Sequence, residues 1–284
     1  MRKDQLLTRR RALLAGAAAL GAAGAAGTAG LLLSGSSGSS GTAGGPPAPA
    51  AGAQAGSALK PSAYRLRPLT GDAPPRALPL PARVRRAPIL RFSGLGDTIL
   101  LTFDDGPNPK YTPRILDTLA RYDVRATFMV CGEMADWNRD LLARMADEGH
   151  VVGNHTWTHP LLTRLTRREI RDELEATSDI IEKSYGERPL WFRAPYGAWN
   201  RDVFQLNAEM GMEPLAWTVD SLDWTTPGTT AIVRRVERGA DPGVVVLSHD
   251  AGGDRTQTVR ALRRYLPRLL DEGYRFTVPR RTYT

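Results

Sequence analysis

Apolar runs recur over the second two thirds of the chain, at 98–103, 125–130, 150–153, 190–193, 213–219 and 243–248, with a short one at 274–278. Between them the apolar positions follow helical spacing, over 113–122, 134–148, 167–185, 200–210, 229–238 and 258–270. Thr166 and Glu169 form a capping box at the start of the third of these helices. Seven short strands alternating with helices predict a parallel α/β domain over 97–280, either a barrel or an open doubly wound sheet. In both architectures ligands gather at the carboxyl ends of the strands. No Gly-x-Gly-x-x-Gly follows the first strand, which removes the main support for dinucleotide binding.

The first third has a different texture. Thr8-Arg9-Arg10-Arg11-Ala12-Leu13-Leu14 precedes a charge-free Ala/Gly/Leu stretch reaching Leu33. This reads as an export signal of twin-arginine type over 1–33, or as an uncleaved anchor, and places the protein outside the cytoplasm, secreted or surface-held. Residues 34–58 are almost all Gly, Ser, Ala and Pro, and 59–96 are Pro-rich and basic. Neither stretch has the pattern of a core, so 34–96 is expected to be a disordered tether. Its charge suits electrostatic contact with a cell wall or a membrane surface.

Charge counted by region changes the meaning of the overall +8: residues 1–96 carry 13 Lys/Arg against 2 Asp/Glu, and residues 97–284 carry 25 against 28. The part expected to fold is slightly acidic, which argues against nucleic acid as a partner. Cys131 is the single cysteine, so no intrachain disulfide exists, and its apolar setting predicts a buried thiol.

Candidate chemistry collects at the strand ends. Asp104 and Asp105 close the first run and are followed at once by Gly106-Pro107. Two adjacent carboxylates at the mouth of a core strand repel each other and persist most easily beside a cation. His155 and His159 follow the third run, and one helical turn would aim both imidazoles at one ion. With Asp105 they make a nitrogen and oxygen donor set that suits zinc or another divalent transition metal. Arg193, Asp220, Asp223 and His249 end later runs. An Arg, an Asp and a His at successive strand ends suit an acid/base network beside the Asp-His-His set, although any one of them taken alone fits a structural ion pair.

The resemblance is carried by five ordered motifs: Thr102-Phe103-Asp104-Asp105-Gly106, His155-Thr156-x-x-His159, Arg193-x-Pro195-Tyr196, Asp220-x-x-Asp223-Trp224 and Leu247-Ser248-His249. In these the chain resembles the polysaccharide deacetylases with a NodB homology domain, carbohydrate esterase family 4. The resemblance implies a distorted (β/α) barrel and a metal-dependent hydrolase that removes acetyl groups from N-acetylglucosamine units of a glycan. It implies that Asp105, His155 and His159 bind the metal, usually zinc. Asp104 would be the general base and His249 the general acid. Arg193 would hold Asp104, and Asp223 would orient His249. Tyr196 would give its backbone N–H to the oxyanion, and Trp224 and Leu247 would wall the acetyl pocket.

Within that class peptidoglycan is the favoured substrate, with chitin-type oligomers next. An acetylxylan esterase shares the motifs, and a glycan-binding protein without catalysis would keep the fold. Of the six tryptophans only Trp224 is assigned to substrate. The run Asp254-Arg255-Thr256-Gln257 would either contact glycan hydroxyls or cap the last helix.

Overall fold

The computed structural model describes residues 83–280. The export signal or anchor and most of the tether lie outside the described residues. The first strand, β1 (Thr98–Asp104), is buried along its whole length. Leu100, Thr102 and Asp104 face the inside of the curled sheet, while Ile99, Leu101 and Phe103 face the helices, as a period of two requires. A parallel strand covered on both faces reads as one continuous apolar run.

The helices and strands follow in alternation: α1 (Thr112–Arg121), β2 (Thr127–Val130), α2 (Gly132–Trp137), α3 (Arg139–Asp147), β3 (Val151–Asn154), α4 (Arg167–Tyr185), β4 (Trp191–Phe192), α5 (Arg201–Glu209), β5 (Glu213–Pro214), β6 (Val219–Asp220), α6 (Thr229–Gly239), β7 (Val245–His249), α7 (Thr256–Asp271) and β8 (Arg275–Phe276). All named strand pairs are parallel, in the order β5-β4-β3-β2-β1-β7-β6, and β8 pairs with the start of β1. This is the expected distorted barrel, with eight strands among the described residues where the pattern predicts seven. The outer core packs β1, β2, β3 and β7 against helices α1, α3, α4, α6 and α7. A smaller inner cluster, Leu100, Met129, Trp191, Leu215 and Val245, fills the lumen. The Thr166–Glu169 capping box is formed at the start of α4.

Three expectations need correction. The helix predicted over 134–148 is two helices, because Asn138 leaves helical geometry and its side chain donates to the carbonyls of Met134 and Pro107. The run 213–219 is not one strand. Residues 213–214 pair with β4 and 219–220 pair with β7, so the segment between them crosses the open side of the sheet. Finally, the packed unit begins before residue 97: Ile89 bridges to Leu215 and Arg91 to Val244, so the end of the assigned linker is part of the sheet.

Candidate active site

Asp104 is the last inward-facing residue of β1, directly beside His249 of β7 in the sheet register. Arg193, just past β4, lies fully buried beneath it and spends its donors on four acceptors. Nη1 donates to Asp104 Oδ1 at 2.6 Å and to Thr102 Oγ1 at 2.8 Å. Nε donates to the Leu215 carbonyl at 3.1 Å and Nη2 to the Ala216 carbonyl at 2.9 Å. A buried ion pair is tolerated when its remaining donors are satisfied in this way.

Asp105, His155 and His159 offer ligand atoms that all lie within 4.8 Å of one another. His155 Nδ1 sits 2.7 Å from the Arg193 carbonyl. A carbonyl only accepts, so Nδ1 carries a proton, and Nε2 is the ring nitrogen that faces the carboxylates, at 3.5 Å from Asp105 Oδ1. His159 Nε2 is 3.3 Å from the same oxygen. Burial works against ionisation of Asp105, yet the hydrogen bond to His155 and the charges of His249, His159 and His155 hold its carboxyl far below the usual range. The three donors therefore fit a divalent cation with coordination positions left for water and substrate.

The His-x3-His segment is not a helical turn. Thr156 and His159 are both left-handed, with φ of 69° and 58°, and the two imidazole centroids stand 4.9 Å apart. A β-branched residue at positive φ needs support from outside. Asn154 Oδ1 accepts from the Thr156 N–H at 2.8 Å. Glu173, on α4, accepts from the backbone N–H groups of Trp157 and Thr158 and from the Thr158 hydroxyl, at 2.7, 2.8 and 2.7 Å. Asp105, Tyr196 and Leu222 are left-handed as well, so strained backbone is concentrated at this rim.

On the other side of the mouth, Asp223 takes the His249 ring Nδ1 at 2.7 Å, the His249 backbone N–H at 2.9 Å and the Thr258 hydroxyl at 2.7 Å. Burial lowers the His249 pKa, but the Asp223 charge and hydrogen bond, helped by Asp105 and Asp104, outweigh it and push the imidazolium up to about 9. Tyr196 is exposed, its ring packed edge-on against His159 at 4.7 Å. Trp224 is also exposed, with its indole hydrogen-bonded to Asp220. Leu247 lies buried in β7, two residues before His249 and so on the same face. The described structure thus brings all ten predicted residues to one end of the sheet.

Sequence reasoning missed Glu173, Asn154, Thr258 and Asp250. Asp250 adjoins His249 in the sequence, which is the one signal that could have singled it out. Its carboxyl is fully buried, accepts from the Thr112 hydroxyl and occupies the space that a side chain on Gly106 would need. Burial, with Asp105 and Asp104 nearby, pushes its pKa up to about 7 against the hydrogen bond from Thr112. The run 254–257 is tied into the fold by hydrogen bonds. Asp254 accepts from the Thr256 N–H, Arg255 is buried and donates to the carbonyls of Ala251, Gly252 and Asp223, and Gln257 accepts from the Gly228 N–H. Cys131 is buried, and burial with the nearby carboxylates drives its thiol pKa upward, as expected of an inert thiol.

A parallel barrel whose strand ends gather three donors suited to a cation, beside an Asp104–Arg193 and an Asp223–His249 pair, is an arrangement suited to hydrolysis. The sequence model described as polysaccharide deacetylase matches residues 94–215. A chitooligosaccharide deacetylase of Sinorhizobium fredii is 42% identical over 194 residues, 64% of this chain and 90% of that protein. A peptidoglycan-N-acetylglucosamine deacetylase of Bacillus cereus is 40% identical over 180 residues, 63% of this chain and 84% of that protein. Among solved structures, a family 4 carbohydrate esterase from Streptomyces lividans in complex with acetate superposes with a TM-score of 0.60 at 34% identity, covering 64% of this chain and 92% of that one. A family pseudoenzyme from Bacillus anthracis gives 0.63 at 33% identity, covering 68% and 67%. The chain belongs to the polysaccharide deacetylase family, whose enzymes are hydrolases acting on carbon–nitrogen bonds.

Proposed function

We propose that the protein is a zinc-dependent deacetylase of N-acetylglucosamine units in a glycan, with peptidoglycan the favoured substrate and chitin-type oligomers next. The observation that carries this is the division of the rim into three parts: the Asp104 carboxylate held by Arg193, a donor set for one cation, and the His249 ring held by Asp223. Similarity to a chitooligosaccharide and a peptidoglycan deacetylase supports the N-acetylated class.

Asp105, His155 and His159 would hold the ion. A divalent cation there supplies a Lewis acid for the acetyl carbonyl and lowers the pKa of water at the site from about 16 towards 7. Asp104, oriented by Arg193, takes the proton of the attacking water. The water oxygen bonds to the amide carbon, and the Tyr196 backbone N–H stabilises the resulting oxyanion. His249, protonated through Asp223, gives its Nε2 proton to the departing nitrogen as the carbon–nitrogen bond breaks, leaving acetate and a free amine. Trp224 and Leu247 flank the acetyl methyl. Export through the twin-arginine-like segment around Arg9 and Arg10, with adhesion through the basic tether, would bring this chemistry to a wall polymer.

Acetate release from peptidoglycan, an N-acetylglucosamine oligomer and acetylated xylan, with bound metal measured, tests the reading. Release from xylan alone would make the protein an acetylxylan esterase, and no release with zinc supplied would make it a glycan-binding protein. Asp104→Asn is expected to abolish turnover with metal retained, and His155→Ala to lose both together. Near-full activity in Asp104→Asn would refute the base assignment.

A further inference from the structure

We propose that the segment Arg85–Phe92, which precedes the family-matched region, is a positioning element for the catalytic base and acts through Arg193. The inference rests on the reading of Asp104 as that base. The Ile89 N–H donates to the Pro214 carbonyl at 2.8 Å, and the Ile89 carbonyl accepts from the Ala216 N–H at 2.8 Å. These bonds bracket Leu215, and the carbonyls of Leu215 and Ala216 are the two backbone acceptors that hold Arg193. One peptide unit of separation therefore joins the strap to the guanidinium, and one hydrogen bond joins the guanidinium to Asp104.

The strap is anchored at both ends. Arg85 forms an ion pair with the buried Glu213 carboxylate, next to Pro214, and Arg91 pairs with Asp241. Phe92 donates its N–H to the Gly243 carbonyl at 2.9 Å and packs edge-on against Trp191 with ring centroids 5.9 Å apart. Ile89 and Phe92 pack on the inner cluster of Leu100, Met129, Trp191, Leu215 and Val245. The strap thus runs from the β5 edge to the start of β7, across the side of the barrel that has no continuous strand. Apart from the Leu215 N–H, which donates to the Phe192 carbonyl at 2.8 Å, the strap supplies the only backbone–backbone hydrogen bond to residues 215–216 among the described residues, so it fixes the outer side of the crossover that holds Arg193.

The test is a double-mutant cycle on the full-length, zinc-loaded protein with an N-acetylglucosamine oligomer as substrate. Ile89→Pro removes the N–H that reaches Pro214, and Arg193→Lys removes the fork that reads both carbonyls. Ile89→Pro is expected to lower kcat about tenfold or more with KM and bound zinc unchanged, because small misplacement of a base is costly. In the Arg193→Lys background the same change is expected to alter kcat by less than about twofold, since coupled groups do not add. Arg85→Gln, which frees one end of the strap, passes through the same cycle should Ile89→Pro fold poorly.

An equal loss in both backgrounds, or an unchanged kcat in both strap variants, overturns the proposal. Urea unfolding of the same four proteins must show coupling between positions 89 and 193 as well. That readout needs no turnover, so a wild-type protein that releases no acetate would sink the proposed function and leave this link to be decided by the unfolding cycle.

Discussion

Asp223→Asn separates the charge of Asp223 from its shape. The asparagine Oδ1 can still accept from His249 Nδ1, and its amide nitrogen, standing where Oδ2 was, can donate to the Thr258 hydroxyl at the loss of the bond from the His249 backbone N–H, so the ring stays tethered while the negative charge disappears. In the native protein the imidazolium is pushed from its ordinary 6.5 up to about 9, against burial, chiefly by Asp223. That displacement corresponds to about 3 kcal/mol of preference for the charged ring, at roughly 1.4 kcal/mol per pKa unit. A cation in the site offsets the share contributed by Asp105 and Asp104, so the Asp223 share is the one that survives in the loaded enzyme. With it gone, burial dominates and the ring titrates at or below 6.5.

A general acid works only while protonated, so activity is lost as pH rises through this pKa. At pH 8 a group titrating near 9 is about 90% protonated and one near 6.5 about 3%, a deficit of roughly 30-fold that shrinks to about unity near pH 5.5. The stability sign agrees: the raised pKa contributes stability in full below 6.5 and loses it as pH rises through about 9. Acetate release by the zinc-loaded pair across pH 5–10 checks this. A deficit of the same size at pH 5.5 and pH 8 would refute the assignment of His249 as the acid tuned by Asp223.

Two further predictions follow from residues outside the five motifs. Glu173→Ala removes three bonds to the His-x3-His loop and is expected to weaken zinc about 10- to 100-fold in a chelator competition, with Thr156 and His159 no longer held left-handed. Unchanged zinc affinity would show that Asn154 suffices. Asp250→Asn is expected to stabilise the metal-free protein at pH 8 by about 1–3 kcal/mol and to be neutral near pH 3. The sign follows from a carboxyl raised from 3.8 to about 7: the native protein loses stability as pH climbs through that window, and asparagine does not. Urea unfolding at the two pH values measures it.

What the chain discloses by itself depends on how local the cause is. The strand β1 is legible because burial on both faces writes an unbroken apolar run, and the strand-end rule then puts Asp104, Asp105, Arg193 and His249 on one rim. The loop between His155 and His159 is not legible. Spacing of four suggests a helical turn, but the conformation is set by Glu173, which lies beyond the loop on a helix and reads locally as a solvated charge.

The strap is the extreme case. Composition over 59–96 describes a basic, proline-rich tether, and Arg85 and Arg91 look like its ordinary charges. Their partners, Glu213 and Asp241, stand 128 and 150 residues away, next to carbonyls and strands that the strap completes. A sequence window cannot see a contact of that separation. The same fact gives the strap its consequence: the crossover at 215–216 that breaks the predicted single strand over 213–219 is the crossover that holds Arg193. The error in the strand and the error in the domain boundary therefore have one cause, and both lie on the path from the tether to Asp104.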